Sequence, residues 1–540
     1  MKNKILFFRT LITLLVAVVL YYFMLPPLNL TSPLFWIYVF LLYFVYMFTI
    51  ILKLADIKGI FIEKITINKK NEMTFLPYLI FPVALFLIII VNIVMSPVFQ
   101  SKQYYQRITI KENGNFTEDV KPVDFNALPL LDKESSQKLG DRVMGQLPEL
   151  VSQFDVSNLY TQINYNNKIV RVTPLEYNGL IKYFSNRKEG VKGYIVVNSV
   201  TGEASLTKLE HGMKYMPSAY FFENLYRKLR ISYPTLIFDK ENFEIDNEGN
   251  PYWVIPIIKY SGVGLRKEIT GVVIFNPITG KSDKYEVGEI PTWVDHVYSA
   301  DLIIEEVDDW GQYKNGYLNS IFSQKNVVQT TEGYNYTVIN DDVYLYTGIT
   351  SKVADEANVG FILTNMRTKE TSYYAVPGAE EYSAMASAEG QVQQMGYKST
   401  FPLLINLNNK PTYLVSLKDN AGLVKMYGFI DVTDYQRVVV NESSEGIIKA
   451  AQKYLGNSQT FISGDTYIEK NIIVKSIKDV VINGNTYYYL TDTNNNKYRI
   501  NININEFALP FINENANIKV YYAEESDVKE IIKIEKNIKD

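Results

Sequence analysis

The sequence predicts a membrane-anchored α+β protein with three N-terminal transmembrane helices, tandem helix-plus-antiparallel-sheet repeats and a small C-terminal β-barrel of OB-like or SH3-like type. Three observations support this prediction. Three long apolar runs fall within the first hundred residues, a glycine-to-threonine turn motif recurs at constant internal spacing, and five strand patterns follow one another near the C-terminus.

Composition limits the class of protein. At 540 residues the chain exceeds the size of one core, because domains usually contain about 100–200 residues. The net charge of −4 argues against a nucleic-acid partner, because binding nucleic acid normally needs a basic domain or stripe. The chain contains no cysteine, which excludes disulfides, thiol nucleophiles and cysteine-ligated metals.

The apolar runs cover residues 5–25, 34–52 and 75–98. Each approaches the roughly 20 residues that a helix needs to cross a hydrocarbon core of about 30 Å. Lysines and arginines flank them unevenly: the N-terminal tail and the second connector are basic, whereas the first connector carries no basic residue. Basic segments stay in the cytoplasm. The pattern therefore predicts a plasma-membrane protein, with membrane lipid as a partner and the chain after about residue 99 extracytoplasmic.

A turn motif recurs three times after the predicted anchor. The residues are Gly193, Asn198, Thr201 and Gly202 in the first copy, Gly271, Asn276, Thr279 and Gly280 in the second, and Gly360, Asn365 and Thr368 in the third. Asparagine lies five residues after the glycine and threonine eight residues after it. Four β-prone residues followed by Asn and Thr-Gly are typical of a strand entering a turn. Lys369 replaces the last glycine, which predicts that the third turn is built differently. A weaker fourth copy begins at Gly428 and loses the asparagine and threonine.

Each copy follows a helix pattern and an alternating hairpin pattern, so the repeating unit is one helix on a three- or four-stranded antiparallel sheet. The predicted limits are 1–99 for the transmembrane anchor, 100–130 for a connector, 131–210, 211–290 and 291–378 for three α+β repeats, 379–441 for a degenerate fourth repeat, and 442–540 for a short helix followed by a five-stranded OB-like barrel. The turn at Asn483-Gly484 is a strong hairpin signal within that barrel.

The order of these elements, with a strand ending in an Asn-x-x-Thr-Gly turn, resembles PepSY-type modules of the bacterial envelope over about residues 131–440. The resemblance implies regulatory or inhibitory binding domains rather than enzymes. The stretches 291–298, 368–370, 378–393 and 401–406 also resemble an uncharacterised Firmicutes-type membrane-anchored envelope family that is loosely labelled cell-shape-related.

Candidate catalytic and metal-binding residues are few. His211 and His296 belong to no paired ligand spacing, and each is expected to have a structural role. Ser135 and Lys138 match Ser-x-x-Lys without its partner motif, and Asp492 opens a hairpin turn rather than a calcium loop. The acidic run 305–309 is expected to be a solvated helix face. We therefore predict no catalytic, cofactor-binding or metal-binding residue and no cofactor.

The sequence favours a non-enzymatic envelope protein whose extracytoplasmic repeats bind a protein or wall component such as peptidoglycan. Exposed sheet edges would recruit extended peptides by strand addition. Two alternatives stay open: a membrane-bound envelope hydrolase or protease regulator, and a structural subunit of a secretion or division complex. The oligomeric state is not predicted.

Overall fold

The computed structural model describes residues 2–52, 76–125, 128–166, 168–339, 342–352, 354–455, 468–482, 485–502, 505, 508–522 and 528–536. The chain forms two compact units. The first contains residues 1–114 and 129–381, and the second contains residues 115–128 and 382–540. The basic connector 53–75 and the predicted Asn483-Gly484 turn lie outside the described residues.

Four helices open the first unit: α1 (Lys2–Met24), α2 (Pro33–Leu52), α3 (Leu76–Met95) and α4 (Pro97–Tyr105). The prediction of three transmembrane helices is wrong, because no single helix among the described residues is both long and apolar enough to cross a membrane. The apolar stretches are Arg9–Met24 and Pro33–Thr49, shorter than the roughly 20 residues required. Helices α3 and α4 satisfy length and composition only as a pair, from Leu79 onward, with a 49° bend between them.

A two-residue strand, β1 (Ile110–Lys111), follows these helices, and α5 (Phe116–Asp119) belongs to the second unit. The first sheet contains β2 (Phe154–Val156), β3 (Thr161–Tyr165), β4 (Lys168–Tyr177), β5 (Val191–Asn198) and β6 (Ala204–Met213), with helices α6 (Lys133–Gly145), α7 (Pro148–Val151) and α8 (Gly179–Asn186). Its strand order is β2-β4-β5-β6, with β3 also paired to β4. All these pairs are antiparallel.

The second sheet repeats this plan. Helix α9 (Leu225–Ser232) precedes its strands, which are β7 (Ile237–Phe238), β8 (Asn242–Ile245), β9 (Pro251–Tyr260), β10 (Lys267–Phe275) and β11 (Ser282–Glu286). Its strand order is β7-β9-β10-β11, with β8 also paired to β9. Strand β11 therefore occupies the same edge position as β6 in the first sheet.

The third sheet has the same order with two additional short strands. Helices α10 (Ala300–Tyr313) and α11 (Tyr317–Ile321) precede it. Its strands, besides β1, are β12 (Val328–Thr330), β13 (Asn335–Ile339), β14 (Asp342–Ser351), β15 (Ala354–Asn365), β16 (Thr371–Tyr374) and β17 (Gly378–Ala379). The order is β12-β14-β15-β16-β1. Strand β1 pairs with β16 in parallel and so covers the edge that is equivalent to β6 and β11.

The three sheets of the first unit share their cores. Strands β9 and β10 are buried on both faces, because successive side chains of a strand point to opposite sides. One face contributes Trp253, Ile255, Val273 and Phe275 to a core shared with the first sheet, and the other contributes Val254, Val272 and Ile274 to a core shared with the third sheet. The second sheet is thus the middle layer of a stack.

The second unit contains a fourth sheet and a closed barrel. The strands of this sheet are β18 (Lys398–Ser399), β19 (Leu403–Leu407), β20 (Lys410–Lys418), β21 (Val424–Asp431) and β22 (Val438–Glu442). Helix α12 (Glu381–Gln391) precedes them and α13 (Ile447–Leu455) follows them. The first residue of α12 belongs to the first unit. The barrel contains β23 (Ile468–Ile482), β24 (Asn485–Asp492), β25 (Lys497–Asn501), β26 (Asn517–Tyr522) and β27 (Val528–Lys536), in the order β23-β24-β25-β27-β26.

Candidate functional site

The recurring motif forms the turn that leads from a central strand to the sheet edge. In the first copy, the side-chain oxygen of Asn198 accepts hydrogen bonds from the N–H groups of Val200 and Thr201, both at 2.9 Å. The Thr201 hydroxyl accepts from the N–H of Glu203 at 3.3 Å. The motif residues therefore satisfy backbone donors that the turn removes from the sheet.

The second and third copies repeat these contacts. The side chain of Asn276 accepts from two N–H groups at 3.0 and 2.9 Å, and that of Asn365 accepts from two at 2.9 Å. The hydroxyls of Thr279 and Thr368 each accept a backbone N–H at 3.3 Å. Three distant segments thus share one turn geometry.

The last position of the turn has a left-handed backbone in all three copies. Gly202 and Gly280 have φ angles of +77° and +74°, and Lys369 has a φ of +64°. The prediction that the third turn is built differently is therefore wrong. A side chain is disfavoured at positive φ, so Lys369 must be held there by contacts outside the turn.

The first glycine of each motif makes room for the edge strand. A Cβ atom at Gly271 would lie 2.1 Å from the carbonyl oxygen of Tyr285, and one at Gly360 would lie 2.3 Å from that of Tyr374. At Gly193 the corresponding distance is 2.9 Å, to Thr207. These glycines permit the close approach of the outer strand.

The fourth copy is shifted in sequence rather than lost. In the second unit, Asp431 takes the place of the asparagine, because its carboxylate accepts from the N–H groups of Thr433 and Asp434 at 2.9 and 3.2 Å. Gly428 lies only three residues before it, so spacing counted from the glycine missed this turn.

The edge strands β6 and β11 present backbone groups outward. In antiparallel sheets, hydrogen-bonded and non-hydrogen-bonded residue pairs alternate. The N–H of Asn198 donates to the carbonyl of Glu203, and with the register of β5 and β6 this places the N–H and C=O groups of Leu206 and Lys208 on the outer side. The same alternation places those of Lys284 on the outer side of β11.

In the third sheet, β16 is the equivalent strand, and β1 covers its outer side. Ile110 pairs with Thr371 in parallel, and the N–H of Gly114 donates to the carbonyl oxygen of Tyr373 at 3.3 Å. A Cβ atom at Gly114 would lie 2.6 Å from the ring of Tyr374. The connector therefore fits this edge closely because it has a glycine at the point of contact.

A buried charged cluster holds the start of this connector. The guanidinium of Arg107 is fully buried and bonds Glu305 at 2.7 Å, Asp309, and the carbonyl oxygen of Lys267 at 3.0 Å. Burial opposes the charge of Arg107, but its hydrogen bonds to Asp309 and Glu305 raise its pKa overall. Burial also raises the pKa of Asp309 to about 6.

Lys369 completes this cluster from the third turn. Its ammonium bonds the buried carboxylate of Glu306 at 3.0 Å and the carbonyl oxygen of Arg107 at 2.9 Å. Burial raises the pKa of Glu306, against the opposing effect of Lys369. The expectation that residues 305–309 form a solvated face is therefore wrong for Glu306 and Asp309, because cations from the connector and from the turn cover them.

A second buried polar group lies where the segment before α10 meets the first two sheets. Glu244 accepts from the backbone N–H groups of Asp295 at 2.8 Å and His296 at 3.1 Å. The His296 ring contacts the carbonyl oxygen of Gln162 at 2.6 Å, which agrees with the structural role predicted for this histidine. Burial raises the pKa of Glu244 to about 8 and lowers that of His296 to about 4. His211 lies exposed on β6.

The remaining motifs have local roles. Ser135 lies in the first turn of α6, where Asp132 caps its N–H at 2.9 Å, and Lys138 pairs with Glu134 at 3.0 Å. The carboxylate of Asp492 accepts from backbone N–H groups within its hairpin turn. Over the described ranges, no three His, Asp or Glu side chains are grouped so that they could hold a metal ion.

The first unit also contains a cavity of about 370 Å³. It lies between the end of α1 and the helix and sheet of the second repeat, and the carboxylate of Glu241 and the hydroxyl of Tyr226 are among its polar groups. No local sequence pattern predicts this cavity, because its walls come from segments about two hundred residues apart in the chain.

The comparison with known proteins adds no family to these observations. Neither a protein-family model nor a curated protein matches this chain. The resemblance to PepSY-type modules and to a Firmicutes-type envelope family therefore stays a prediction that rests on the turn motif and the quoted stretches.

Proposed function

We propose that this chain is a non-enzymatic cell-envelope protein whose repeated sheets bind a partner protein by adding an extended segment to an open strand edge. The observation that supports the proposal is the pairing of β1 with β16, in which the chain's own connector is added to the third sheet. Strands β6 and β11 hold the position of β16 in their own sheets. Strand addition gains affinity from main-chain hydrogen bonds and specificity from alternate side chains.

The binding geometry follows from the intramolecular example. The added segment runs parallel to the edge strand, as β1 does, and bonds the outward groups of Leu206 and Lys208 in the first sheet or Lys284 in the second. Charged residues on both edges, including Lys208 and Glu286, discourage pairing with unrelated strands. A partner segment therefore needs both an extended backbone and complementary charge.

The test uses paired substitutions in the full chain. Lys284→Pro removes an outward N–H without removing a bond to β10, whereas Lys284→Ala keeps the N–H and removes only the side chain. Leu206→Pro and Leu206→Ala form the matching pair on β6. A photoreactive amino acid is placed at Glu286 or Lys208, with exposed Lys410 as a control position. Adducts formed in intact cells are then identified by mass spectrometry.

We expect adducts that map to one extended segment of a partner protein, with a yield that falls several-fold in the proline variant and persists in the alanine variant. Equal yields from both variants, or adducts at Lys410 as abundant as those at the edges, would contradict strand addition.

A further inference from the structure

The cavity in the first unit carries a separate inference, which does not depend on strand addition. Its volume of about 370 Å³ falls in the range of small-molecule sites, roughly 300–1,000 Å³. Apolar walls come from Met24 and Leu25 on one side and from Leu229 and Ile255 on the other. The last two are almost fully buried, at 2% and 1% exposure. An apolar ligand body fits these walls.

The charged residues that line the cavity are Asp239, Glu241 and Arg230. Glu241 is only 8% exposed, and its partner among the described residues is the neutral hydroxyl of Tyr226, at 2.6 Å. Burial first, and then the charge of Glu241, raise the pKa of Tyr226, so this hydroxyl stays a neutral donor. A buried carboxylate without a cation is costly, and a cationic ligand would remove that cost.

The nearby cations are already engaged. Arg230 donates to the backbone carbonyl oxygens of Leu25 at 2.9 Å and Leu236 at 2.6 Å. Lys267 pairs with Asp239, another lining residue, at 2.5 Å. Because Arg230 directs its donors at carbonyl oxygens and Lys267 pairs with Asp239, neither of these two cations forms an ion pair with Glu241.

The wall above the cavity has a strained backbone. Leu25 has a φ of +49°, a conformation that branched side chains rarely adopt. Two hydrogen bonds hold it there, one from its own N–H to Tyr21 and one from Arg230 to its carbonyl oxygen. The bond from Leu25 to Tyr21 is the left-handed cap that ends α1, and together with Arg230 it fixes the position of this wall.

We propose that the cavity binds a small amphipathic cation, with its ammonium group on the carboxylate of Glu241 and its apolar chain against Leu229 and Ile255. The carboxylate accepts the ammonium hydrogens, while the apolar chain displaces water from the walls. A neutral or anionic molecule of the same shape gains the apolar contacts and lacks the charge-assisted hydrogen bond.

The test is titration calorimetry on the full chain at pH 7 and low salt, with octylamine as the probe and octanol and octanoate as comparators. We expect octylamine to bind about tenfold more tightly than either comparator. Glu241→Gln should abolish that preference. Glu268→Gln, on a half-buried carboxylate of the same repeat that does not line the cavity, should leave it unchanged. Met24→Trp should weaken binding of all three molecules by narrowing the cavity.

Tyr226→Phe provides a second test, which does not depend on whether Glu241→Gln folds. It frees the carboxylate from its hydroxyl partner, so octylamine should bind at least as tightly as to the unmodified chain. Three outcomes would overturn the proposal: equal binding of the three molecules, a preference for octylamine that survives in Glu241→Gln, or binding that is unaffected by Met24→Trp.

Discussion

The N–H of Gly114 donates to the carbonyl oxygen of Tyr373 at 3.3 Å, which ties the connector after α4 to the edge of the third sheet. Gly114 and Tyr373 are more than 250 residues apart in sequence. The bond lies on the outer side of β16, the strand that is equivalent to β6 and β11 in the first two sheets. One edge of three equivalent edges is therefore closed by the chain itself.

Substituting Gly114 should loosen this closure. In Gly114→Ala, the new methyl group would lie 2.6 Å from the ring of Tyr374 and 2.9 Å from the carbonyl oxygen of Tyr373, so the connector must move outward. We expect a loss of about 1–3 kcal/mol in the free energy of unfolding, and faster amide exchange at Gly114. Gly145→Ala is the control, because nothing lies within 4 Å of its Cβ position. Unchanged exchange at Gly114 would show that the edge is not held by close contact.

The turn asparagine should be replaceable only by another acceptor. Asn276→Ala removes two hydrogen bonds to backbone N–H groups, and we expect a loss of about 1–2 kcal/mol in stability. Asn276→Asp places a carboxylate oxygen where the amide oxygen was, so it keeps the acceptor. Chemical denaturation should therefore give a free energy of unfolding close to that of the unmodified chain. If the two variants unfold at the same denaturant concentration, the side-chain acceptor is not what stabilises the turn.

Replacing Lys369 by glycine should destabilise the protein although it relieves the backbone. Glycine suits the φ of +64°, but Lys369→Gly leaves the buried carboxylate of Glu306 without its lysine. Losing one partner of a buried charge pair costs about 3–5 kcal/mol, which exceeds the roughly 1 kcal/mol gained from relaxing the turn. The double variant Lys369→Gly with Glu306→Gln should recover most of the loss. A single variant more stable than the parent would refute this account.

Stability should fall as the pH rises from 6.5 to 8. Glu244 has a folded-state pKa of about 8, above its usual 4.5, so the folded state retains a proton that the unfolded state releases, and stability declines across that interval. His296 has a folded-state pKa of about 4, below its usual 6.5, so its contribution is complete above pH 6.5 and is lost only as the pH falls towards 4.

Denaturant unfolding at several pH values measures this effect. The decline between pH 6.5 and 8 is limited to about 1.4 kcal/mol per pH unit for one proton, and Glu244→Gln should remove most of it. Glu286→Gln, on an exposed carboxylate, should preserve it. A slope of the opposite sign in the unmodified chain would mean that Glu244 is ionised when folded.

The local structure of this protein follows from short sequence patterns. Asparagine and threonine at fixed spacing predict turns because they bond backbone groups two or three residues away, and Asn198, Asn276 and Asn365 do so in the structure. Alternating apolar residues likewise predict strands, because each strand must bury at least one face. Hydropathy wrongly predicts three membrane spans from the apolar N-terminal runs, because it counts apolar residues and does not register where a helix ends or bends.

Long-range contacts determine which edge is closed, which charges are buried and where a cavity lies. Arg107 and Lys369 bring cations onto the carboxylates of α10 from opposite directions along the chain, and the cavity joins the end of α1 to the second sheet. These contacts link residues up to 262 positions apart. Local sequence patterns report the interactions of a residue with its chain neighbours, whereas strand pairing and charge burial depend on which distant surfaces the folded core brings together.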